Sequence, residues 1–334
     1  MIRARGLSKS YWVARHRPGA LGAMRSLVDR SGREVRAVRD ISFDVAAGEI
    51  VGYVGPNGAG KSTTIKMLTG ILVPTAGEAV VAGYVPWNQR KSLAGKIGVV
   101  FGQRTQLWWD LPLIESLQLL RFVYRVPADR FQANLTEMRS LLDLDPFLET
   151  PVRQLSLGQR MRGDLAAAVL HEPPLLYLDE PTIGLDVVAK ARVREFLARI
   201  NRERGVTILL TTHDLADVEH LCRRMIIIDR GRLLYDGSVE ALRQRHGSHR
   251  TLVVDLEAGA TLDGFGRDGV ELVRADGPRR WLRFDREAVS AASLISSVVA
   301  RAPVVDVAIE EPAIEDIIRG IYEGGIRAEP AVSE

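Results

Sequence analysis

The chain has 334 residues, 46% of them apolar and 26% charged, with a formal net charge of +3. These are the proportions of a globular protein rather than a disordered or fibrous one, and the length allows roughly two domains. No stretch reaches the about 18–20 apolar residues of a membrane-spanning helix, the charge is too small to argue for a nucleic-acid partner, and the single cysteine, Cys222, cannot form an internal disulfide, which suits a buried thiol in a reducing compartment.

The N-terminus, MIRARGLSKSYW, has no apolar signal core, so secretion is not expected. IRARGLS reads as a first strand. From Trp12 to about Arg36 runs a basic, glycine-containing segment in which MRSLVD has the pattern of a short helix. RDISFDV and EIVGYV (49–54) read as strands, the second a buried apolar run. GPNGAGKST at 55–63 fits G-x-x-x-x-G-K-[ST], and STTIKMLTG at 62–70 reads as the helix after it. A glycine-rich turn between a strand and a helix N-terminus aims backbone N–H groups and the positive helix end at one spot, which suits a di- or triphosphate. Lys61 can reach the β- and γ-phosphates, and Ser62 can offer its hydroxyl to Mg²⁺.

VPTAGEAVVAG reads as a turn and a strand, and IGVVF at 97–101 as a further strand, followed by Gln103. RTQLWWDLPLIESL then carries two adjacent tryptophans, Trp108 and Trp109, in a polar loop; they either pack inside the helical region that follows or line a groove for a partner. From about Leu113 to Leu144 the pattern is helical, ending at Pro151. LSLGQ lies at 155–159, with Gly158 expected to open the helix QRMRGDLAAAVL. LLYLDE at 175–180 is a buried strand ending in two acids, which places both at the carboxyl edge of a parallel sheet. Asp179 can hold Mg²⁺ through its water shell, and Glu180 can face an attacking water as general base. GLD at 184–186, the amphipathic VVAKARVREFLARI, the strand VTILL, TTHD at 211–214, and the strands RMIIID and RLLYDG complete this part.

From about residue 250, LVVDLE, VELVRAD and RRWLRFD read as strands, REAVSAASLISSVVARA as a helix, VVDVAIEE as a strand and IEDIIRGIYE as a final helix. This is a small, loosely ferredoxin-like α+β unit with no His/Cys cluster and no glycine-rich loop. RAEPAVSE reads as a frayed tail.

Six elements in order (phosphate loop, Gln103, LSLGQ, the Asp179–Glu180 strand, GLD and TTHD) give the chain a specific resemblance to the ATP-binding subunits of ABC transporters, of exporter type, over residues 1 to about 245. The implied fold is an α/β ABC ATPase cassette, a phosphate-loop core with an inserted helical subdomain. The implied organisation is a cassette at 1–245 (helical subdomain about 104–160, extra insert about 13–36), an accessory α+β domain at 250–325 and a tail at 326–334. The implied ligands are ATP and Mg²⁺. By the same resemblance Gly55, Pro56, Asn57, Gly58, Ala59, Gly60, Lys61, Ser62 and Thr63 cradle the phosphates. Ser62, Gln103 and Asp179 attend the metal, and Glu180, His213, Gln103 and Lys61 carry hydrolysis. Ser156, Gly158 and Gln159 reach the γ-phosphate held by an opposite subunit, and Asp186 sits at that dimer interface. Tyr11 stacks on adenine, with Trp12 as the alternative. The commonest signature of the family is LSGGQ; here Leu157 replaces the first glycine, and leucine does not readily take the positive φ open to glycine.

The expected function is ATP hydrolysis that drives a membrane transporter through ATP-driven closure of two copies. The expected partners are a separate transmembrane permease and a second copy or related ATPase subunit, with no nucleic acid. The expected place is the cytoplasmic face of the membrane, held through the permease. The rival classes are a soluble ABC ATPase acting on ribosomes or nucleic acid, against which stand the single cassette and the lack of a heptad array, and a transport subunit whose C-terminal unit senses a ligand.

Overall fold

The computed structural model describes residues 1–14, 32–102, 104–212, 214–246, 249–262, 269–285, 288–311 and 314–322. Gln103, His213, the MRSLVD segment and the C-terminal tail lie outside them. Backbone contacts divide the described chain into two units, Met1–Gly237 and a second that begins at Ser238.

The first unit holds two sheets. β1 (Ile2–Ala14), β2 (Gly32–Val45) and β4 (Ala76–Val81) form an antiparallel sheet in the order β2-β1-β4. β1 pairs with β4 only through Ser8, but with β2 as far as Ala14. The segment expected to depart from the strand at Trp12 therefore begins and ends as a continuation of the β1–β2 ribbon. The second sheet has six strands in the order β5-β6-β7-β3-β8-β9: β3 (Ile50–Val54), β5 (Ile97–Phe101), β6 (Leu175–Asp179), β7 (Thr207–Thr212), β8 (Arg224–Asp229) and β9 (Arg232–Ser238). β5, β6, β7, β3 and β8 run parallel. Helices cover such a sheet on both faces, so its strands are apolar throughout rather than alternating; every residue of β7 is buried, as are Leu175–Leu178 of β6.

The helices of this unit are α1 (Lys61–Leu68), α2 (Arg90–Ala94), α3 (Leu113–Val123), α4 (Ala128–Leu142), α5 (Leu157–Val169), α6 (Val187–Arg204) and α7 (Leu215–Leu221). α3 buries Leu113, Leu117 and Leu120, and α4 buries Phe131, Leu135, Met138 and Leu142. These spacings make a single apolar stripe on each helix, and both helices pack against α5. α5 starts one residue earlier than expected. Ser156 is its N-cap, closing a reciprocal capping box with Gln159, and Leu157 is its first residue.

In the second unit, α8 (Val239–His246) packs with α10 (Ile314–Tyr322), which buries Ile314, Ile317, Ile318 and Ile321. Chain contacts thus group α8 with the C-terminal unit and set the division at Gly237/Ser238. β10 (His249–Leu256), β11 (Val270–Asp276), β12 (Arg279–Asp285) and β13 (Val304–Glu310) form an antiparallel sheet in the order β11-β12-β10-β13, with α9 (Ala291–Val299) between β12 and β13. The strand order is that of a ferredoxin-like sheet, although 257–262, which lead away from β10, are not helical. Leu252, Val254, Leu282, Phe284, Leu294 and Val298 are the centre of its core. Among the described residues no helix is long and apolar enough to cross a membrane.

Candidate functional site

Three adjacent parallel strands, β6, β7 and β3, end at one edge of the large sheet. The register pairs Asp179 with Thr211 and Val54 with Thr212, so the phosphate loop after Val54, the acids that end β6 and Thr211–Thr212 share that edge. Ligands of open α/β sheets bind at such carboxyl edges.

The loop is shaped by close packing. Gly60 caps α1 with φ +111, and a Cβ there would lie 2.5 Å from the Ala37 carbonyl oxygen of β2. Only glycine meets both demands. The Ala59 N–H donates to Pro56 O at 3.1 Å, and the Gly231 N–H to Ala59 O at 2.9 Å. Lys61 is buried, its Nζ donating to Gly55 O at 2.5 Å and Pro56 O at 3.1 Å. Burial lowers the Lys61 pKa, opposed by the carboxylates of Glu180 and Asp179. An ammonium held by two neutral carbonyls in the loop is placed to exchange them for phosphate oxygens.

Ser62 Oγ donates to Asp179 Oδ2 at 3.1 Å, and Thr211 Oγ1 donates to Asp179 Oδ1 at 2.5 Å. Glu180 has φ +55, the left-handed region that a carboxylate side chain rarely occupies, and its N–H donates to Thr211 O at 2.9 Å. Such backbone conformations in non-glycine residues concentrate at functional sites. The Gly102 N–H donates to Asp179 O at 2.8 Å, which brings the segment flanking Gln103 against these acids.

A cavity of about 970 Å³ opens over this edge, lined by the phosphate loop, Lys61, Ser62, Thr63, Asp179 and Glu180, together with Ala37, Lys66, Ile71, Phe101, Gly102, Arg104 and Ile183. One hydroxyl and one carboxylate face each other in it. Among the described residues no cluster of three or more His, Cys, Asp or Glu could hold a metal alone. That donor set fits Mg²⁺, a hard cation that keeps several waters and is completed by substrate phosphate oxygens.

The remaining sequence-selected residues lie elsewhere. Ser156, Gly158 and Gln159 do not line the cavity; they sit at the N-terminus of α5, where Gln159 Oε1 accepts from the Ser156 N–H at 2.8 Å. Leu157, whose replacement of glycine raised a conformational question, is helical and not among the positive-φ residues. Nothing in the backbone there requires glycine. Asp186 is the N-cap of α6, accepting from the Ala189 N–H at 2.8 Å. Tyr11 and Trp12 alternate along β1, are 36% and 63% exposed, and do not line the cavity; Lys9 Nζ lies 5.5 Å from the Tyr11 ring centroid. Arg104, Lys66 and Thr211 are site residues that the sequence reading passed over. Thr211 was legible as the first residue of TTHD, whereas the Ala37 carbonyl depends on a tertiary approach that no local pattern announces.

The family described as "ABC transporter" matches residues 38–183. The chain is 32% identical over 294 residues to the daunorubicin resistance ATP-binding protein DrrA3 of Streptomyces coeruleorubidus, covering 88% of this chain and 86% of that protein. It is 30% identical over 298 residues to the methionine import ATP-binding protein MetN of Latilactobacillus sakei, covering 87% and 86%. Among solved structures, a dimeric ATP-binding cassette in a post-hydrolysis state with ADP and Pi superposes with a TM-score of 0.60 at 25% identity, covering 72% of this chain and 99% of that one.

Proposed function

Because the chain belongs to the ABC transporter ATP-binding proteins, we propose a division of labour among its residues. The protein is an ATP-binding, ATP-hydrolysing subunit that energises a membrane transporter. The phosphate loop, Gly55 to Thr63, takes the triphosphate, and Lys61 leaves its backbone carbonyls for the β- and γ-oxygens. Ser62 and Asp179 hold Mg²⁺, which when bound neutralises charge on the phosphate oxygens. Glu180 accepts a proton from the water that attacks the γ-phosphorus, as the γ-phosphoryl group parts from ADP. Gln103 and His213 take part in hydrolysis, as the family resemblance implies. Tyr11 stacks on the adenine.

Ser156, Gly158 and Gln159 act in the site of a second copy, or of a related subunit. Their absence from the cavity of their own chain supports this reading. The permease is a separate polypeptide, and the protein sits on the cytoplasmic face through it. Residues 1–237 are the working cassette, with its helical part within about 104–160, and the unit from Ser238 is accessory. The direction we infer is export. The drug-resistance relative supports it, while the import relative matches nearly the same share of the chain, so the extent of the match does not decide the direction.

The observation that carries the reading is the pairing of Ser62 with Asp179 at 3.1 Å beside Glu180 in its left-handed conformation. The test is Glu180→Gln, which removes the base but keeps its size. Steady hydrolysis should be lost with nucleotide affinity nearly unchanged; turnover at the rate of the parent protein would refute the role of Glu180.

A further inference from the structure

The signature and the GLD turn of the same chain interlock through two leucine–glycine contacts. A Cβ on Gly184 would overlap the Cδ2 of Leu157, with Leu157 Cγ 3.5 Å away. In the reverse sense, a Cβ on Gly158 would lie 3.1 Å from Cδ2 of Leu185. Each segment thus presents a leucine to the other's glycine. Leu185 is buried by the arrangement, while Leu157 keeps 38% of its surface exposed. Gly184 has φ +69, so the turn could not readily carry another residue there even with more space.

This contact has a route to the catalytic carboxylate. The Leu185 N–H donates to Thr182 O at 3.2 Å, and the Ile183 N–H to Glu180 O at 3.3 Å. The turn under Leu157 is therefore hydrogen-bonded directly to the backbone of Glu180. Its far side is anchored: Thr182 Oγ1 donates to Asp217, which is fully buried and also accepts from Arg194 Nε at 2.6 Å. On the other side of the contact, Leu157 is the first residue of α5, directly after the cap Ser156.

We propose that Leu157 is a positioning residue that locks the signature to the GLD turn of its own chain, so that Ser156 and the backbone of Glu180 move together. Resting on the shared-site reading above, this makes Leu157 a link between the two ATP sites of a dimer. The Ser156 that it steadies serves the opposite copy's ATP, and the Glu180 that it steadies serves its own. Engagement of one ATP by the signature then sets the carboxylate at the other. A glycine in place of Leu157 has no side chain to fill the space over Gly184, and the two segments would be free to move separately.

The experiment measures ATP hydrolysis against ATP concentration for the full chain, its Leu157→Gly, Leu157→Met and Gly184→Ala variants, and the Leu157→Gly/Gly184→Ala double variant. Thermal midpoint and nucleotide affinity are followed in each. Leu157→Gly should lower kcat about tenfold, an amount within the range of coupling between contacting residues, and bring the Hill coefficient towards one, with nucleotide affinity unchanged. Leu157→Met, which keeps a long apolar side chain, should restore both. Gly184→Ala should cost less in the Leu157→Gly background than in the parent, because the backbone strain at Gly184 is common to both and only the overlap with Leu157 differs. Equal costs in the two backgrounds, or a Leu157→Gly protein as cooperative and as fast as the parent, would overturn the lock while leaving the shared site intact. A parent with a Hill coefficient of one and no ATP-driven dimer would overturn the shared site, and the link with it.

Discussion

Ser62 Oγ and Asp179 Oδ2 are joined by a hydrogen bond of 3.1 Å that ties the first turn of α1 to the end of β6. The other oxygen of Asp179 is taken by Thr211 of the neighbouring strand. The carboxylate is therefore held from two sides, by Ser62 at the start of α1 and by Thr211 of β7. Partners of this kind orient a metal ligand, and their loss costs about 10- to 100-fold in metal affinity. Thr211→Val keeps the shape of a fully buried side chain but removes that donor. The Mg²⁺ concentration for half-maximal hydrolysis should rise about tenfold, as read by titrating Mg²⁺ at fixed ATP. An unchanged midpoint would separate Asp179 from the metal.

Asp164, on α5, is buried and accepts from Thr105 Oγ1 at 2.8 Å and from the Gln106 N–H at 3.0 Å. It thereby clamps the segment after Gln103 to the signature helix. Burial raises its pKa to about 6, against the opposing pull of those two hydrogen bonds and of Arg160. With the folded value above the unfolded one, its stabilising contribution is present at low pH and is lost as pH rises from about 4 to about 6. His171 works in the opposite sense. Burial lowers its pKa to about 4, so its contribution is lost as pH falls from 6.5 towards that value. The two trends overlap, and the comparison with Asp164→Asn isolates the first. The difference in stability between the parent and Asp164→Asn should shift against the parent between pH 4 and 6 and be flat above. A difference independent of pH would mean that Asp164 ionises normally.

Trp108 and Trp109 are 41% and 51% exposed, so neither is packed inside the helical subdomain. Their backbones are nevertheless fixed: the Trp108 N–H donates to Ser116 Oγ, and Trp109 O accepts from the Arg153 N–H. Exposed aromatics on a rigid loop are typical anchors of protein contacts. Trp108→Ala and Trp109→Ala should each change stability by about 1 kcal/mol or less, in line with surface truncations, with ATP affinity kept. Co-purification with the membrane partner should fall for at least one. Loss of stability in step with loss of the partner would make them structural residues.

Much of the cassette was legible because its signals are local. The phosphate loop needs a strand, glycines and a helix in immediate succession, and a β6-like apolar run ending in two acids has a single place in a parallel sheet. The helical stripes of α3 and α4 follow from spacing alone. What was not legible is tertiary. Glu180 has its positive φ where its N–H meets Thr211 O and its carbonyl closes a turn with Ile183; the turn is local, but Thr211 lies on another strand, far away in the sequence. The helical backbone at Leu157 follows from the Ser156–Gln159 capping box, a local signal that outweighs the family habit of glycine at that position. The continuation of the β1–β2 ribbon to Ala14 rests on pairing with a strand some twenty residues onward, across a segment whose composition reads as an insertion. The grouping of α8 with the C-terminal unit follows from the apolar face of α10, which lies about seventy residues later in the chain.

The most direct measurement of the central claim is the mass of the Glu180→Gln variant in solution, by light scattering, without nucleotide and with Mg²⁺ and ATP. One chain is 36.9 kDa. ATP should bring the particle to twice that mass, and adding Ser156→Arg to the same chain should return it to the mass of one chain with ATP still bound. A Glu180→Gln protein that binds ATP and stays at the mass of a single chain at every concentration would contradict the shared site on which the account rests.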